Sequence, residues 1–209
     1  MSSSIPLGHI DGFAACVPCR EYIIIGQEVP TSTEVEDARE DAMDITLIAF
    51  PEEELAAIAK WRSDGEVHRY LRHGYTTLGE VSQWYRDYFS SEANQLLGIL
   101  VDNQLIGYCT IEHIDCNNHK CEVGIVIGEK GYWHKGIGSA VIRELLKRAF
   151  TALHMHRVEA VIHADNVASI RCFTRAGFQC DGTLRDAKYR HGRYVDLLVY
   201  SLLDSEWSV

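Results

Sequence analysis

The chain has 209 residues, of which 46% are hydrophobic, and it carries a net charge of −10 at pH 7. This length fits one domain, or one domain with an appendage. The acidic balance argues against a nucleic-acid surface, which needs a basic stripe, and no apolar run approaches the roughly 18 residues of a membrane span. We therefore expect no nucleic-acid or membrane partner, and the charge suits cationic substrates.

Seven cysteines, an odd number, are scattered along the chain, and no basic segment followed by a long apolar one opens it. We therefore expect reduced thiols and a cytoplasmic location. The CVPC sequence at residues 16–19 has redox or zinc spacing, but no second CxxC follows it. Cys116, His119 and Cys121 could form a metal cluster, yet the same segment also fits a turn at residues 117–118 between two strands. We expect no metal.

Residues 1–43 differ from the rest of the chain. They contain eight acidic residues against Arg20 and Arg39, so −6 of the net charge of −10 lies here. The apolar run at residues 21–26 is compatible with an edge strand. We interpret 1–43 as an acidic N-terminal appendage, with a disordered tail as the alternative, and 44–209 as the main domain.

The main domain begins with a predicted strand and two predicted helices. Residues 44–50, DITLIAF, have a strand pattern. Pro51 then opens a helix whose acidic first turn, residues 52–54, suits the helix dipole. Thr77 and Glu80 have capping-box spacing and predict a further helix with an aromatic apolar face.

Three strands are predicted next. Residues 95–101 and 104–113 are joined by Asp102-Asn103, a two-residue connection that favours a tight hairpin. Residues 120–127 form the third strand and are followed by a glycine-containing turn. This order predicts an antiparallel meander that leads into a helix.

The predicted helix after this turn has apolar residues at helical spacing from Val141 to Leu153. Gly136 and Gly138 precede it, where missing side chains let the first amides approach a ligand closely. Because those amides and the positive end of the helix dipole point at one spot, the turn suits a phosphate or pyrophosphate, although two such glycines are often only a tight connection.

The last predicted elements are a strand at residues 157–163, a helix at about 168–176 and a closing hairpin at about 182–207. Gly177 ends the helix at a position that tolerates left-handed backbone. Asn166 precedes the helix and suits its N-cap.

The sequence Trp133 to Ala140, WHKGIGSA, resembles the coenzyme A pyrophosphate loop of the GCN5-related N-acetyltransferase (GNAT) superfamily, with Trp133 at the Arg/Gln position of the consensus. That departure is similar to the branch of ribosomal-protein N-terminal acetyltransferases (RimJ/RimL-like). The segment Asn166 to Phe178 resembles the second conserved block of the family. The resemblance covers about residues 44–207, and implies an α/β (α+β) fold with a mixed, mainly antiparallel sheet flanked by helices.

The resemblance implies acetyl-CoA as co-substrate and an amine as acceptor. The cofactor contacts that it implies are Ile125, Val126, Ile127, His134, Lys135, Gly136, Ile137, Gly138, Ser139, Ala140, Asn166, Ser169 and Phe173. In much of the family a tyrosine seven residues after the asparagine protonates the departing thiolate, and here that position is Phe173. A water, another hydroxyl such as that of Tyr132, or release as thiolate must substitute.

Glu122 is the candidate catalytic base, because it stands on the central strand just before the cofactor-binding run; a surface carboxylate is the alternative. The helical region and the closing hairpin are expected to line the acceptor pocket. The aromatic candidates for its wall are Trp61, Tyr75, Trp84 and Tyr194. The candidates for gripping a phosphate or carboxylate on the acceptor are Arg62, Arg69, Arg72, Arg185 and Arg193.

We therefore expect an N-acetyltransferase that moves acetyl from acetyl-CoA to a primary amine of a small molecule by direct transfer in a ternary complex. One alternative is a protein N-terminal acetyltransferase. The other is a catalytically idle acyl-CoA-binding regulatory module, which the loss of the tyrosine at Phe173 favours. A homodimer is left open.

Overall fold

The computed structural model describes residues 43–208 except 72, 73, 75, 90 and 191. The expected appendage, with its CVPC sequence and its edge strand, therefore lies outside the described residues apart from Met43, and it stays a prediction. The acceptor candidate Tyr75 lies outside them as well. Within the described part of the chain, no helix is both long and apolar enough to cross a membrane.

Strands and helices follow one another in nearly the predicted order. In chain order the elements are β1 (Ile45–Ala49), α1 (Leu55–Ser63), α2 (Gly65–His68), α3 (Leu78–Phe89), β2 (Gln95–Val101), β3 (Gln104–Asp115), β4 (Lys120–Ile127), α4 (Ile137–Lys147), β5 (Arg157–His163), α5 (Val167–Arg175), β6 (Gln179–Arg190) and β7 (Arg193–Leu203). Short 3-10 turns precede α1, link β4 to α4 and follow β7.

The described residues build one seven-stranded sheet in the order β1-β2-β3-β4-β5-β7-β6. Neighbouring strands are antiparallel except for β4 and β5, which are parallel. One face packs against the apolar side of α4, and the other packs against α1 and α3, so that each face has its own apolar core. This arrangement confirms the predicted mixed, mainly antiparallel sheet flanked by helices.

The sheet opens between its two parallel strands. β4 pairs with β5 from Lys120–Arg157 to Glu122–Glu159, and the pairing ends there. β5 instead pairs with β7 along its whole length, from Arg157 to His163. The later residues of β4 therefore present a strand edge to a gap, which we call the β4–β5 gap.

Turn and cap residues behave as their chemistry predicts. Asp102 and Asn103 both have positive φ, 50° and 63°, as a tight two-residue hairpin requires. At the start of α3 the Glu80 amide donates to Thr77 Oγ1 (3.3 Å) and the Thr77 amide donates to Glu80 Oε2 (3.0 Å), which confirms the capping box. Gly177 has φ +96° after α5, as expected.

The long predicted helix differs from a regular one at its end. After α4 the chain makes a π-helical turn over Arg148–Ala152. This wider turn keeps Ala149 and Phe150 buried, and Phe150 packs against Trp207 with ring centroids 5.2 Å apart. Periodicity alone could not show it, because the extra residue in the turn changes the register only once.

Candidate active site

The start of α4 has the geometry of an anion-binding site. Gly136 occupies the N-cap position with φ +81°, a left-handed conformation that side chains rarely adopt. The amides of Ser139 and Ala140 donate to the Gly136 carbonyl at 3.1 and 3.2 Å, so the helix turns at once. The amides of Ile137 and Gly138 lie at the positive end of the helix dipole, where an anion is favoured.

Gly138 lies beside the neighbouring helix. A Cβ added there would lie 3.5 Å from Cys172 Sγ of α5, an ordinary contact distance. Gly136 thus supplies a backbone conformation, whereas the position of Gly138 has room for a Cβ. Asn166 caps α5 by accepting from the Ser169 amide at 3.2 Å, as predicted.

Trp133, at the Arg/Gln position of the consensus, ties the loop to β4. Its indole Nε1 donates to the Ile127 carbonyl at 2.8 Å. His134 and Lys135 follow it as exposed residues, and Lys135 Nζ lies 5.2 Å from the centroid of the Tyr132 ring. The tryptophan thus fixes the loop, and the exposed basic residues are left at its surface.

The strand edge at the gap has a defined register. The Gly128 amide donates to the Ile106 carbonyl of β3, and alternate residues of an antiparallel strand turn their backbone groups the same way. Val126, opposite Tyr108, therefore directs its N–H and C=O to β3, whereas Ile125 and Ile127 direct theirs to the gap. The register supports Ile125 and Ile127 as backbone contacts, and it does not bring the backbone of Val126 to the same edge.

Glu122 stands in a row of three carboxylates. It lies opposite Glu112 of β3 and opposite Glu159 of β5, so the three side chains share one face of the sheet. Its neighbours Cys121 and Val123 are buried on the other face, against the α4 side. We call Glu112, Glu122 and Glu159 the glutamate row; it lies on the face that carries α1 and α3, at the point where the gap begins.

Polar partners offset the repulsion within the glutamate row. Glu159 accepts from Arg157 Nε at 2.7 Å, and Glu112 accepts from the Thr110 hydroxyl at 2.8 Å. The side chain of Glu122 is 16% exposed, with His113 Nδ1 at 3.4 Å from its Oε2. The row thus places carboxylates where the β4–β5 pairing ends and the gap begins. The pairing of β3, β4 and β5 brings these three glutamates together. The sequence shows a glutamate on each strand, but it does not show that they meet.

Two of the predicted catalytic and cofactor residues lie elsewhere. The Tyr132 hydroxyl donates to Gln104 Oε1 at 3.0 Å, on the β3 side of β4, across that strand from the gap. Phe173 is 5% exposed and packs edge-on against Phe178, with ring centroids 5.0 Å apart. The structure therefore does not place either residue beside Glu122, and their assigned roles stay predictions.

Two of the described aromatic acceptor candidates lie in one apolar cluster. Trp61 is 2% exposed, and its indole N–H donates to Glu129 Oε1 at 2.8 Å; Lys60 and this bond lower the pKa of that carboxyl. Trp84 packs under the Arg62 guanidinium, 4.4 Å from the ring centroid. Both tryptophan rings lie against the Tyr108 ring, with centroid distances of 6.4 Å for Trp61 and 6.2 Å for Trp84. Tyr194, which is 63% exposed near the tip of the closing hairpin, is not part of this cluster.

A small cavity lies where the helical region meets the closing hairpin. Its volume is about 90 Å³, and the described residues that line it are Arg69, Tyr70, His163, Asp165, Arg190, Arg193 and Val195. We call it the arginine pocket. Arg69 and Arg193 were candidates from the sequence, whereas Arg190 and His163 were missed, because only the pairing of β6 with β7 and of β7 with β5 brings them here.

Contacts across this pocket connect distant parts of the chain. Arg190 Nη1 donates to the Arg69 carbonyl at 2.7 Å, and its Nη2 donates to His68 Nε2 at 3.2 Å. The Tyr70 hydroxyl donates to the Asp165 carbonyl at 3.3 Å. The segment that follows α2 is therefore fastened both to β6 and to the connection between β5 and α5.

A sheet that opens between its two parallel strands, with a glycine-opened helix after β4, suits an enzyme that binds an anionic cofactor. The family model of the acetyltransferase (GNAT) domain matches residues 44–179. The chain therefore belongs to the GNAT acetyltransferases, as the resemblance predicted. It is an acetyl-CoA-dependent acetyltransferase, which confirms the predicted activity. Among the described residues, no group of three or more His, Cys, Asp or Glu side chains is arranged to hold a metal ion.

Two bacterial relatives and one solved structure illustrate this similarity. The chain is 31% identical over 173 residues to p20 of Bacillus licheniformis, an uncharacterized N-acetyltransferase, covering 78% of this chain and 95% of p20. It is 35% identical over 127 residues to YdaF of Bacillus subtilis, provisionally named a ribosomal N-acetyltransferase, covering 61% of this chain and 68% of YdaF. Spermidine N-acetyltransferase from Vibrio cholerae, in complex with CoA and spermine, has the same fold: TM-score 0.73 and 22% identity over 78% of this chain and 96% of that one.

Proposed function

We propose that the protein transfers the acetyl group of acetyl-CoA directly to a primary amine of a small molecule. The observation that carries this proposal is the set of bonds across the arginine pocket. A peptide acceptor needs an open groove between the helical region and the closing hairpin, whereas Arg190 bonds to His68 and to the Arg69 carbonyl across that groove. A small acceptor needs no such groove.

The glutamate row supports an amine as the acceptor. An aliphatic amine with a pKa near 10.4 is almost fully protonated at neutral pH, so it arrives as an ammonium group and must lose a proton before it attacks. Three carboxylates on one face attract that cation. Glu122 lies in the middle of the row at the beginning of the gap, and we assign it the role of base, directly or through water.

The residues at the gap fit acetyl-CoA. The backbone of Ile125 and the Ile127 amide would pair with its extended arm like an added strand, and the first amides of α4 would hold its pyrophosphate. Bound there, the cofactor supplies an activated acetyl thioester. We assign the Ile127 amide, which also faces the gap, the role of donating to a developing oxyanion.

Two other functions are supported by particular observations. The similarity to YdaF favours a protein N-terminal amine as acceptor. Phe173 supplies no hydroxyl for a departing thiolate, which favours an acyl-CoA-binding module without turnover. The bonds of Arg190 across the groove support the small amine over the protein acceptor.

The test measures thiol release from acetyl-CoA with polyamines, amino sugars, amino-sugar nucleotides, amino acids and short peptides at equal concentration. We expect release with small amines. Turnover of peptides alone would overturn the small-molecule proposal in favour of the protein acceptor. Saturable acetyl-CoA binding in calorimetry, with no release from any amine, would favour the module without turnover.

A further inference from the structure

The arginine pocket concentrates positive charge in an acidic protein. The chain has a net charge of −10, yet the guanidinium groups of Arg69, Arg190 and Arg193 line one cavity, with Asp165 as the carboxylate among its described lining residues. Arg193 Nη2 donates to Asp165 Oδ2 at 3.3 Å. Among the described lining residues, three guanidinium groups thus stand against one carboxylate, which leaves an excess of positive charge.

The pKa of His163 is affected by the charges around this pocket. The residue is 7% exposed, and its pKa is lowered first by burial and then by the nearby cations Lys188 and Arg190, against a smaller opposing effect of Asp165. Burial is the main reason that the imidazole stays neutral, and the additional effect of Lys188 and Arg190 indicates a positive local potential. Such a potential favours an anionic ligand.

The size of the cavity limits what it holds. The cavity has a volume of about 90 Å³. Whole ligands occupy pockets several times larger. The cavity therefore fits a single small group, and planar guanidinium groups bind carboxylate and phosphate oxygens in pairs.

The position of the cavity connects it to the glutamate row. Glu159 and His163 are four residues apart on β5, which corresponds to about 13 Å of strand at roughly 3.3 Å per residue. Residues at even separation on a strand share a face, so both side chains lie on the face that carries the helical region. One acceptor can thus place an ammonium group at the row and an anionic group in the pocket.

We propose that the arginine pocket binds a carboxylate or phosphate group carried by the amine acceptor, up to about 13 Å from the reacting nitrogen. This proposal rests on the proposed function, whose substrate class it narrows from amines to zwitterionic amines. Simple polyamines, which carry no anionic group, are then poor acceptors.

The first experiment compares kcat/KM for linear ω-amino acids, aminoalkyl phosphates and alkylamines of matched length. We expect the anion-bearing compounds of suitable length to exceed the matched alkylamines by about tenfold or more, since a hydrogen bond to a charged group contributes about 1.5–3 kcal/mol. The comparison of ω-amino acids with aminoalkyl phosphates shows whether the pocket prefers a carboxylate or a phosphate. Equal kcat/KM values across matched pairs would overturn the proposal.

The variant Arg193→Gln tests the pocket directly. The Arg193 side chain is 68% exposed, so its loss spares the fold. We expect KM to rise about 10- to 150-fold for anion-bearing acceptors, with alkylamines and the acetyl-CoA Kd changed by less than about twofold. The control Arg175→Gln removes the same charge from an exposed position on α5 outside the pocket lining, and leaves all values unchanged. An equal loss for both kinds of acceptor in Arg193→Gln would refute the assignment.

A binding measurement separates failure of this proposal from failure of the proposed function. The His163 imidazole is titrated by NMR in the coenzyme A complex, with its resonance assigned through His163→Gln. A bound anion raises the pKa of His163, because its charge offsets Lys188 and Arg190. We expect this rise with an ω-amino acid in wild type and not in Arg193→Gln, even if no amine is acetylated. No rise, or an equal rise with inorganic phosphate at equal concentration, would overturn the claim that the anion belongs to the acceptor.

Discussion

Substitution of Gly128 by alanine tests how the cofactor loop is fixed to the helical region. A Cβ added at Gly128 would lie 2.1 Å from Cδ2, 2.3 Å from Cγ and 2.5 Å from Cε2 of Trp61. The ring cannot swing away cheaply, because its N–H donates to Glu129 and its face stacks with Tyr108 at a centroid distance of 6.4 Å. Overpacking a tight core costs roughly 1–3 kcal/mol, and contacts this short place Gly128→Ala at the upper end.

The assay is urea unfolding followed by tryptophan fluorescence, with Gly131→Ala as the matched control. Gly131 lies three residues further along, and its added Cβ would meet none of the described atoms within 4 Å. With a denaturant slope of about 2 kcal/mol/M, a loss of about 3 kcal/mol corresponds to a midpoint lowered by about 1.5 M. The double variant Gly128→Ala with Trp61→Ala should lose less than the sum of the two single losses, because the clash disappears with the ring. Equal midpoints for Gly128→Ala and Gly131→Ala would refute the packing argument.

Three further predictions concern catalysis, the cofactor and pH. Glu122→Gln lowers kcat by about 10²- to 10⁴-fold and flattens the acidic limb of the pH–rate profile; an unaltered profile would move the base elsewhere. Gly138→Glu should weaken acetyl-CoA binding strongly in calorimetry, because it places a negative charge beside the first amides of α4. The control Gly138→Ala should keep the fold, since its added Cβ makes an ordinary 3.5 Å contact. Unchanged affinity in a folded Gly138→Glu would refute the anion site. The pKa of His163 is lower in the folded protein than its ordinary value of 6.5, because the folded protein favours the neutral imidazole. Its contribution to stability is therefore fully present above about pH 6.5 and is lost as the pH falls below that value. His163→Gln should therefore show a smaller loss in unfolding free energy between about pH 7 and pH 5 than wild type.

Local chemistry made much of the fold predictable. Asp102-Asn103, the capping box of Thr77 and Glu80, and Gly177 each specify a conformation through their own backbone or side-chain preferences, and the structure confirms all of them. The glycine-opened start of α4 was predictable for the same reason, since Gly136 and Gly138 lie next to the helix that they open. In each case the determining residues are within a few positions of one another.

The parts that sequence reasoning missed depend on pairing between distant segments. The glutamate row needs the register of β3, β4 and β5, which places residues 112, 122 and 159 side by side. The arginine pocket needs β7 to insert between β5 and β6, which places Arg190 and Arg193 near His163. No local pattern encodes a register, so the charges of these residues were visible in the sequence and their meeting points were not.

The glutamate row also has an energetic consequence that bears on its role. Like charges directly opposite on neighbouring strands are destabilising by roughly 0.2–1 kcal/mol per pair, and Glu122 faces a carboxylate on each side. Arg157 and Thr110 bond to the outer members, Glu159 and Glu112, and His113 Nδ1 lies 3.4 Å from Oε2 of the central Glu122. A glutamine at position 122 has the same shape and avoids both repulsions. If Glu122 serves the reaction, Glu122→Gln should therefore unfold at higher urea while it turns over acetyl-CoA more slowly, and a variant that is both less stable and slower would mean that the carboxylate serves the fold.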